Sequence, residues 1–171
     1  MPYWTTLTTQ QLGRYAEYLA RLRFARSGMD VYIPEIDDRG IDFIVRTARG
    51  DFYEIQSKAR RQLLYFYIEK SKFPISKARY LYLSLFTDTK KEEPDIFLIP
   101  SIAWLKPNAL FVDRPYDDPE VGLQFSKKNM HLLEPYRIFD IIEARGESAA
   151  RDSADGGLLG ELIPVSPRSS S

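Results

Sequence analysis

The fold is decided by two segments of the chain, Gly-Ile-Asp-Phe-Ile-Val at positions 40–45 and Phe-Tyr-Glu-Ile-Gln-Ser-Lys at positions 52–58. Both are rich in apolar residues, and the Arg-Gly-Asp at 49–51 between them is typical of a hairpin turn. Side chains alternate between the two faces of a strand, so Glu54, Gln56 and Lys58 share one face. Asp42 lies in the middle of the neighbouring predicted strand. The pattern therefore predicts an aspartate, an amide oxygen and a lysine side by side on a hairpin.

Composition limits the classes of protein to which the chain can belong. It has 171 residues, of which 44% are hydrophobic, so it can bury one good core, and a single domain over residues 1–146 is expected. The absence of cysteine excludes disulfide frameworks, zinc ribbons and cysteine nucleophiles, and the single histidine, His131, argues against histidine-rich metal sites. No signal-peptide pattern and no apolar run of membrane-spanning length is present. We therefore expect a soluble cytoplasmic protein without a membrane partner.

Charge is unevenly distributed along the chain, although the formal net charge is zero. Residues 1–80 carry 14 Lys and Arg against 9 Asp and Glu, whereas the remainder carries 10 against 15. Such polarity suits a polyanionic ligand at one end of the molecule. Taken alone, ordinary surface charge is the simpler explanation.

The hairpin lies within a longer series of predicted elements. The leading element is an amphipathic helix over 8–26, capped by Thr8 or Thr9 and ended by Ser27 and Gly28. A turn is predicted at 37–40. Further strands are predicted at 29–34, 63–69, 79–86, 95–99 and, at a sheet edge, 109–112. Helices are predicted at 100–105 and 126–134, and 138–144 fits either a helix or a strand.

The end of the chain differs in composition from the rest. Residues 147–171 are rich in Ser, Gly and Ala and nearly free of aromatic residues. They cannot bury enough apolar surface to offset the entropy of ordering, so we expect a disordered tail that the fold does not need. Within it, only 158–165 is apolar enough to dock on the domain.

These motifs, in this order, resemble the PD-(D/E)XK or restriction-endonuclease-like nuclease superfamily, and most of all its small bacterial endonuclease-like domains of unknown function. The resemblance is carried by Gly13 and Glu17 on the leading helix, by the Asp-Arg-Gly-Ile-Asp segment at 38–42, and by Gln56 with Lys58. It covers 10–90. It implies an α/β or α+β fold with an αβββαβ core, in which a mixed sheet is flanked by helices.

The resemblance also implies a function, a metal-dependent DNA endonuclease that hydrolyses phosphodiester bonds in defence, repair or mobile-element biology. Mg²⁺ would be the cofactor, with Mn²⁺ able to substitute. The implied catalytic residues are Glu17, Asp42, Gln56 and Lys58. The implied metal ligands are Asp42, the Gln56 amide oxygen, the Ser57 backbone carbonyl and Glu17. Gln56 stands where the family usually has Asp or Glu, so Mg²⁺ should bind less tightly than in most members.

DNA is the partner that the resemblance implies. The arginines near the motifs could contact its phosphates, namely Arg14, Arg39, Arg60 and Arg61. Duplex-cutting members of the superfamily commonly act as dimers, which makes a homodimer one option for this chain.

Each motif residue also has a plain structural interpretation. Glu17 could pair with Arg14 or Arg21 on its own helix, and Asp42 could cap a turn. Gln56 and Lys58 could be the solvent face of a strand. The aromatic run 65–67 is more typical of a core than of a base-stacking surface.

Two other classes of function therefore stay open. One is a non-catalytic nuclease-like module that binds nucleic acid or protein. It stays open because the uncharged Gln56 weakens the predicted metal site. The other is a ligand-binding domain with no nucleic-acid role, which would leave the basic amino-terminal half unexplained. Divalent-ion binding together with plasmid nicking would separate the first of these from an active nuclease.

Overall fold

The computed structural model describes residues 1–36 and 39–138, which form one α-helix, four short 3-10 helices and nine strands. Helix α1 spans Thr9–Arg26, and the 3-10 helices span Tyr3–Thr6, Ser101–Leu105, Met130–Leu132 and Glu134–Tyr136. The strands are β1 Asp30–Tyr32, β2 Phe43–Arg46, β3 Phe52–Arg60, β4 Phe66–Glu69, β5 Arg79–Leu85, β6 Asp95–Pro100, β7 Phe111–Arg114, β8 Glu120–Leu123 and β9 Arg137–Ile138. The predicted tail at 147–171, residues 139–144, and Asp37 and Asp38 of the predicted turn lie outside the described residues.

Helix α1 begins and ends as its sequence predicts. The Thr8 side chain accepts a hydrogen bond from the Gln11 amide at 3.2 Å, and the Gln11 side chain accepts one from the Thr8 amide at 2.8 Å. This capping box satisfies two amides that the first turn leaves without partners. At the other end Ser27 caps the helix and Gly28 takes a φ of 80°, a left-handed conformation that glycine adopts without strain.

The buried side of α1 is narrower than the apolar stripe that helical spacing predicts, which comprises Leu12, Tyr15, Ala16, Leu19 and Leu22. It consists of residues four apart, Leu12, Ala16, Ala20 and Phe24. Leu22, a member of the predicted stripe, is exposed. The small alanines let α1 lie close to the sheet, and Phe24 packs against Phe43 with ring centroids 5.7 Å apart.

The main sheet is mixed and has the strand order β1-β2-β3-β5-β6-β9. Strand β3 pairs with β5 in parallel, and every other neighbouring pair of this sheet is antiparallel. Every residue of β5 is buried, as expected for the strongly apolar strand predicted at 79–86 when it lies between two neighbours in a sheet. Helix α1 covers one face of β3, where Ile55 lies in one cluster with Ala20, Phe24 and Phe43.

A second sheet, in the order β4-β8-β7, covers the other face of the main sheet through a core that includes Phe66, Leu83 and Trp104. The expectation of a sheet flanked by helices therefore holds on one face only. The connection from β3 to β5 contains β4 where the αβββαβ pattern has a helix. The reason is local: burial alternates along β4, so its apolar side chains cover one face with the period of a strand.

The predicted helix at 126–134 is wrong. Two 3-10 helices stand there, because the Asn129 side chain competes for the backbone. Its oxygen accepts from the Ser126 amide at 2.8 Å, and its nitrogen donates to the carbonyls of Ala109 and Gln124 at 2.8 and 2.6 Å. Pro135, which has no amide hydrogen, interrupts any longer helix.

No helix within residues 1–36 and 39–138 is both long and apolar enough to cross a membrane.

Candidate active site

Asp42 lies immediately before β2, which corrects the prediction of a mid-strand aspartate. Its amide donates to the Ile55 carbonyl at 3.0 Å, and its carboxylate Oδ2 accepts from the Ser57 amide at 2.6 Å. The carboxylate thus takes the place of a backbone carbonyl in the ladder between β2 and β3. Among the described strands, residues 56–60 of β3 pair only with β5. We call this place, where β2 begins beside β3, the notch.

Gln56 is buried next to the notch, with only 4% of its surface exposed. Its Oε1 is fully buried and has no hydrogen-bond partner in the described structure. Its Nε2 lies against Gly40, 3.0 Å from where a Cβ of that residue would stand. A buried amide oxygen without a partner costs about 1–3 kcal/mol. The Gln56 oxygen is therefore a buried acceptor that the described structure leaves unsatisfied.

Lys58 follows two residues later on the same face of β3 and is half-buried. Ile55 packs against α1. Because side chains alternate along β3, Gln56 and Lys58 lie on the opposite face and point away from the helix. Ser57, whose amide binds Asp42, lies between them in the chain. The structure therefore brings the Asp42 carboxylate next to the β3 segment that carries Gln56 and Lys58.

Glu17 is not part of this group. Its carboxylate binds Arg21 at 3.1 Å and Arg14 at 3.5 Å, both on α1 itself. Helix α1 covers the sheet face opposite to the one on which Gln56 and Lys58 lie. The structure therefore contains the ion pair within the helix that the sequence also allowed for Glu17.

Arg79, which sequence reasoning missed, is buried beside the notch with 1% of its surface exposed. Its guanidinium donates to Glu54 Oε2 at 3.0 Å and to the carbonyls of Arg39 and Lys72 at 2.8 and 2.7 Å. Burial lowers the pKa of Arg79, while the negative charges of Glu54 and Asp42 act to raise it. The available signal in the sequence was a lone arginine at the start of an otherwise apolar strand.

The metal-binding capacity of the site depends on few ligands. No group of three or more His, Cys, Asp or Glu side chains that could hold a metal occurs in the described part of the chain. The notch offers one carboxylate from Asp42, the Gln56 amide oxygen and the main-chain carbonyl of Ser57. These are hard oxygen donors of the kind that Mg²⁺ binds while keeping several waters. The partnerless Gln56 oxygen fits such an ion.

The four predicted phosphate-binding arginines occupy different settings. Arg14 is exposed and pairs with Glu17, and Arg39 is exposed on the loop held by Arg79. Arg60 and Arg61 share a cleft of about 410 Å³, which we call the arginine cleft. Its lining comprises Thr9, Leu12, Ala59, Arg60, Arg61, Gln62, Leu64 and Tyr65. Arg60 and Arg61 therefore line a common cavity.

Comparison with known proteins identifies the fold but no sequence family. No family model matches, and no curated protein is detectably similar in sequence. The Holliday junction resolvase Hjc of the archaeal hyperthermophile Archaeoglobus fulgidus has a similar structure, with a TM-score of 0.51, 13% identity, and coverage of 78% of this chain and 95% of that chain. The bacterial homing endonuclease I-Ssp6803I has a TM-score of 0.48 and 14% identity, with coverage of 86% and 100%. The likeness to the resolvase confirms the predicted fold class, a mixed α+β fold that a nuclease also has.

Proposed function

We propose that the chain is a divalent-metal-dependent DNA endonuclease that hydrolyses phosphodiester bonds at the notch. The observation that supports this most directly is the buried Gln56 Oε1, which has no partner and belongs to the residue before Ser57, whose amide binds the Asp42 carboxylate. A folded protein retains such an atom at a cost, and a bound cation would remove that cost. The solved structure with a similar fold is a Holliday junction resolvase, which favours DNA as the substrate.

Each residue of the notch has a separate task in this proposal. Asp42, Gln56 and the Ser57 carbonyl would hold Mg²⁺ or Mn²⁺, which when bound supplies Lewis-acid polarisation of the phosphodiester. Lys58 would stabilise the negative charge that develops on the phosphate oxygens. The Ser57 amide fixes the Asp42 carboxylate. Glu17 stays outside the ligand set, because Arg14 and Arg21 hold its carboxylate.

Arg79 supports the notch without touching the substrate. Its hydrogen bonds to the carbonyls of Arg39 and Lys72 anchor the two loops that approach Gln56. The Lys72 carbonyl also lies 2.6 Å from a Cβ built on Gly40, so these loops meet at the glycine. Arg79 is therefore a positioning residue.

The test is cleavage of plasmid and of duplex, flap and junction oligonucleotides in Mg²⁺, in Mn²⁺ and in EDTA. Asp42→Ala should abolish cleavage and leave DNA binding largely intact, because it removes a metal ligand and no phosphate contact. Lys58→Ala should also abolish cleavage. Asp30→Ala is the matched control, because Asp30 is an exposed aspartate of the same sheet in a surface pair with Arg46. Undiminished cleavage by Asp42→Ala would place the chemistry elsewhere.

A second candidate, a non-catalytic nuclease-like module that binds DNA, is favoured by one observation. The buried charge of Arg79 acts on Asp42, and a cation near a site with a single carboxylate weakens binding of a second cation. This account predicts DNA binding by the wild type with no heat of Mg²⁺ or Mn²⁺ binding in calorimetry and no cleavage of any substrate.

A further inference from the structure

The outer face of the second sheet carries exposed aromatic rings. Alternation along β4 buries Phe66 and Ile68 and turns Tyr67 outward, where 55% of its surface is exposed. The Tyr65 ring, just before the strand, stacks with that of Tyr67, with centroids 6.3 Å apart and 23° between the ring planes. The sequence-based interpretation of 65–67 as core therefore holds for Phe66 alone.

The neighbouring strands hold the Tyr65 ring in one position. A Cβ on Gly122 of β8 would stand 2.8 Å from both Cε2 and Oη of Tyr65, so the ring occupies the space that a side chain at this position would need. The Tyr65 hydroxyl donates to Glu120 Oε1 at 2.5 Å. The Arg114 guanidinium lies 4.4 Å from the centre of the Tyr65 ring and donates to the Tyr116 hydroxyl at 2.9 Å. We call Tyr65, Tyr67, Arg114 and Tyr116 the tyrosine platform.

The tyrosine platform adjoins the arginine cleft, because Tyr65 belongs to both. The Nε atoms of Arg60 and Arg61 are buried and have no hydrogen-bond partners in the described structure. Arg61 is held by its Nη2, which donates to the carbonyls of Trp4 and Leu7 at 2.7 and 2.6 Å, and the Arg60 guanidinium lies 4.6 Å from the centre of the Phe66 ring. Arg60 lies two residues beyond Lys58 on the same face of β3, which is about 7 Å along the strand. A path of basic side chains thus leads from the notch through the cleft to the aromatic rings.

We propose that the tyrosine platform binds unpaired bases of a DNA strand whose phosphates pass Arg60 and Arg61. Preformed aromatic faces beside cationic groups are the general means of holding single strands, because every base has a π-face that can stack. Paired bases in a duplex do not expose that face. The exposed Glu69 lies beyond Tyr67 at the end of β4, so repulsion of phosphate ends the path there.

This assignment names the substrate class of the notch and rests on the proposed function for its choice of DNA. It implies that the substrate carries a single-stranded flap, tail or branch beside the bond to be cleaved. A proline-rich peptide could also dock on exposed aromatic rings. The basic side chains between Lys58 and Tyr65 favour the nucleic acid, because a proline-rich peptide carries no phosphates for them to bind.

Fluorescence anisotropy in EDTA separates binding from cleavage. The probes are a labelled oligothymidine of about 15 nucleotides and a blunt duplex of the same length. Tyr67→Ala should weaken binding of the single strand about tenfold and leave duplex binding unchanged, because base–aromatic stacking is lost. Tyr67→Phe should bind as the wild type does, since it keeps the ring. Tyr67 is exposed, so the thermal midpoint of both variants should match that of the wild type.

Tyr18→Ala is the matched control. Tyr18 is 58% exposed and lies under the Arg21 guanidinium, 4.7 Å from its ring centre, on the α1 side of the molecule. The proposal is overturned if Tyr67→Ala weakens single-strand binding no more than Tyr18→Ala does. It is also overturned if Tyr67→Ala weakens binding of the oligothymidine and of the duplex equally. Binding of a proline-rich peptide at Tyr67 without binding of the oligothymidine would overturn it as well. Tyr67-dependent binding of the single strand without any cleavage would sustain the platform while refuting the endonuclease.

Discussion

The Arg79 guanidinium donates a hydrogen bond of 3.0 Å to the Glu54 carboxylate, and this contact joins the start of β5 to β3 beside the notch. Only one partner is withdrawn from water, since the side chain of Arg79 is 1% exposed and that of Glu54 is 41% exposed. The same guanidinium binds two loop carbonyls. The parallel register of β3 and β5 therefore also fixes the loops that close around Gln56.

Arg79→Met should lower the free energy of unfolding by about 3 kcal/mol, because the carbonyls of Arg39 and Lys72 and the Glu54 carboxylate lose a charged donor. Urea unfolding measures the change. Arg46→Met is the control, since Arg46 forms an exposed pair with Asp30 at 3.4 Å, and such pairs contribute less than about 1 kcal/mol. An equal loss of unfolding free energy in the two variants would show that Arg79 does not anchor the loops at Arg39 and Lys72.

Gly40→Ala should also destabilise the protein, by about 2 kcal/mol, because Gly40 has a φ of 65° that other residues adopt only with strain. The added methyl group would stand 2.6 Å from the Lys72 carbonyl and displace the Gln56 amide. Gly13→Ala tests the opposite case in the same unfolding assay. Gly13 lies in α1 with nothing within 4 Å of its built Cβ, so that substitution should stabilise the fold by about 0.5–1 kcal/mol. A Gly40→Ala protein as stable as the wild type would contradict the close approach of these loops.

Stability in acid should depend on Asp95, which accepts hydrogen bonds from Lys91 at 2.9 Å and Arg137 at 2.7 Å. Burial alone would raise the pKa of Asp95, but these two cations outweigh it and hold the pKa below the ordinary value of 3.8. A group with a depressed pKa in the folded state stabilises the fold fully above its unfolded pKa. That contribution is lost as pH falls through the folded pKa.

Unfolding free energy measured from about pH 6 down to about pH 2.5 should therefore fall more steeply for the wild type than for Asp95→Asn. The two curves should approach each other as pH falls through the folded pKa of Asp95. Glu134, which also binds Arg137, leaves a residual slope in the variant. If the difference in unfolding free energy between the two proteins stayed constant with pH, the pKa of Asp95 would be the same in the folded and unfolded states.

Local signals explain why part of the fold was predictable from the sequence. The capping box at Thr8 and the apolar run of β5 are properties of neighbouring residues, and the structure contains both. The alternation along β3 correctly placed Gln56 and Lys58 on one face. The strand at β4 was also predicted from its own residues, but its pairing with β8 in a second sheet depends on a partner distant in the chain and was not predicted. Asn129 prevents a helix because its side chain reaches the Ala109 carbonyl.

The candidate site divides in the same way. Asp42, Gln56 and Lys58 were found from spacing within one hairpin, whose strand pairing is local. Arg79 lies 25 residues from Glu54, and only the parallel register of β3 and β5 brings them together. A single sequence does not specify that register. Glu17 had the correct spacing from its arginines for an ion pair, and no property of the helix alone could choose between that pair and a distant metal.

Replacing Gln56 tests the metal proposal most sharply. Gln56→Glu should bind Mg²⁺ more tightly in calorimetry, because a carboxylate supplies the charge that the amide lacks. Without metal, the same variant should be less stable than the wild type, since it adds a second buried negative charge near Asp42. Adding Mg²⁺ should therefore raise its thermal midpoint more than that of the wild type.

Gln56→Met gives the complementary result. It keeps the volume of the side chain and removes the partnerless Oε1, so stability in EDTA should be unchanged or should rise by about 1 kcal/mol. Metal binding and cleavage should both be lost, because one of the three donor oxygens is gone. A variant that is stabilised yet inactive would show that the wild type keeps a costly buried atom for its function. Unchanged Mg²⁺ affinity in both Gln56 variants would remove Gln56 from the ligand set, and with it the main support for a metal at the notch.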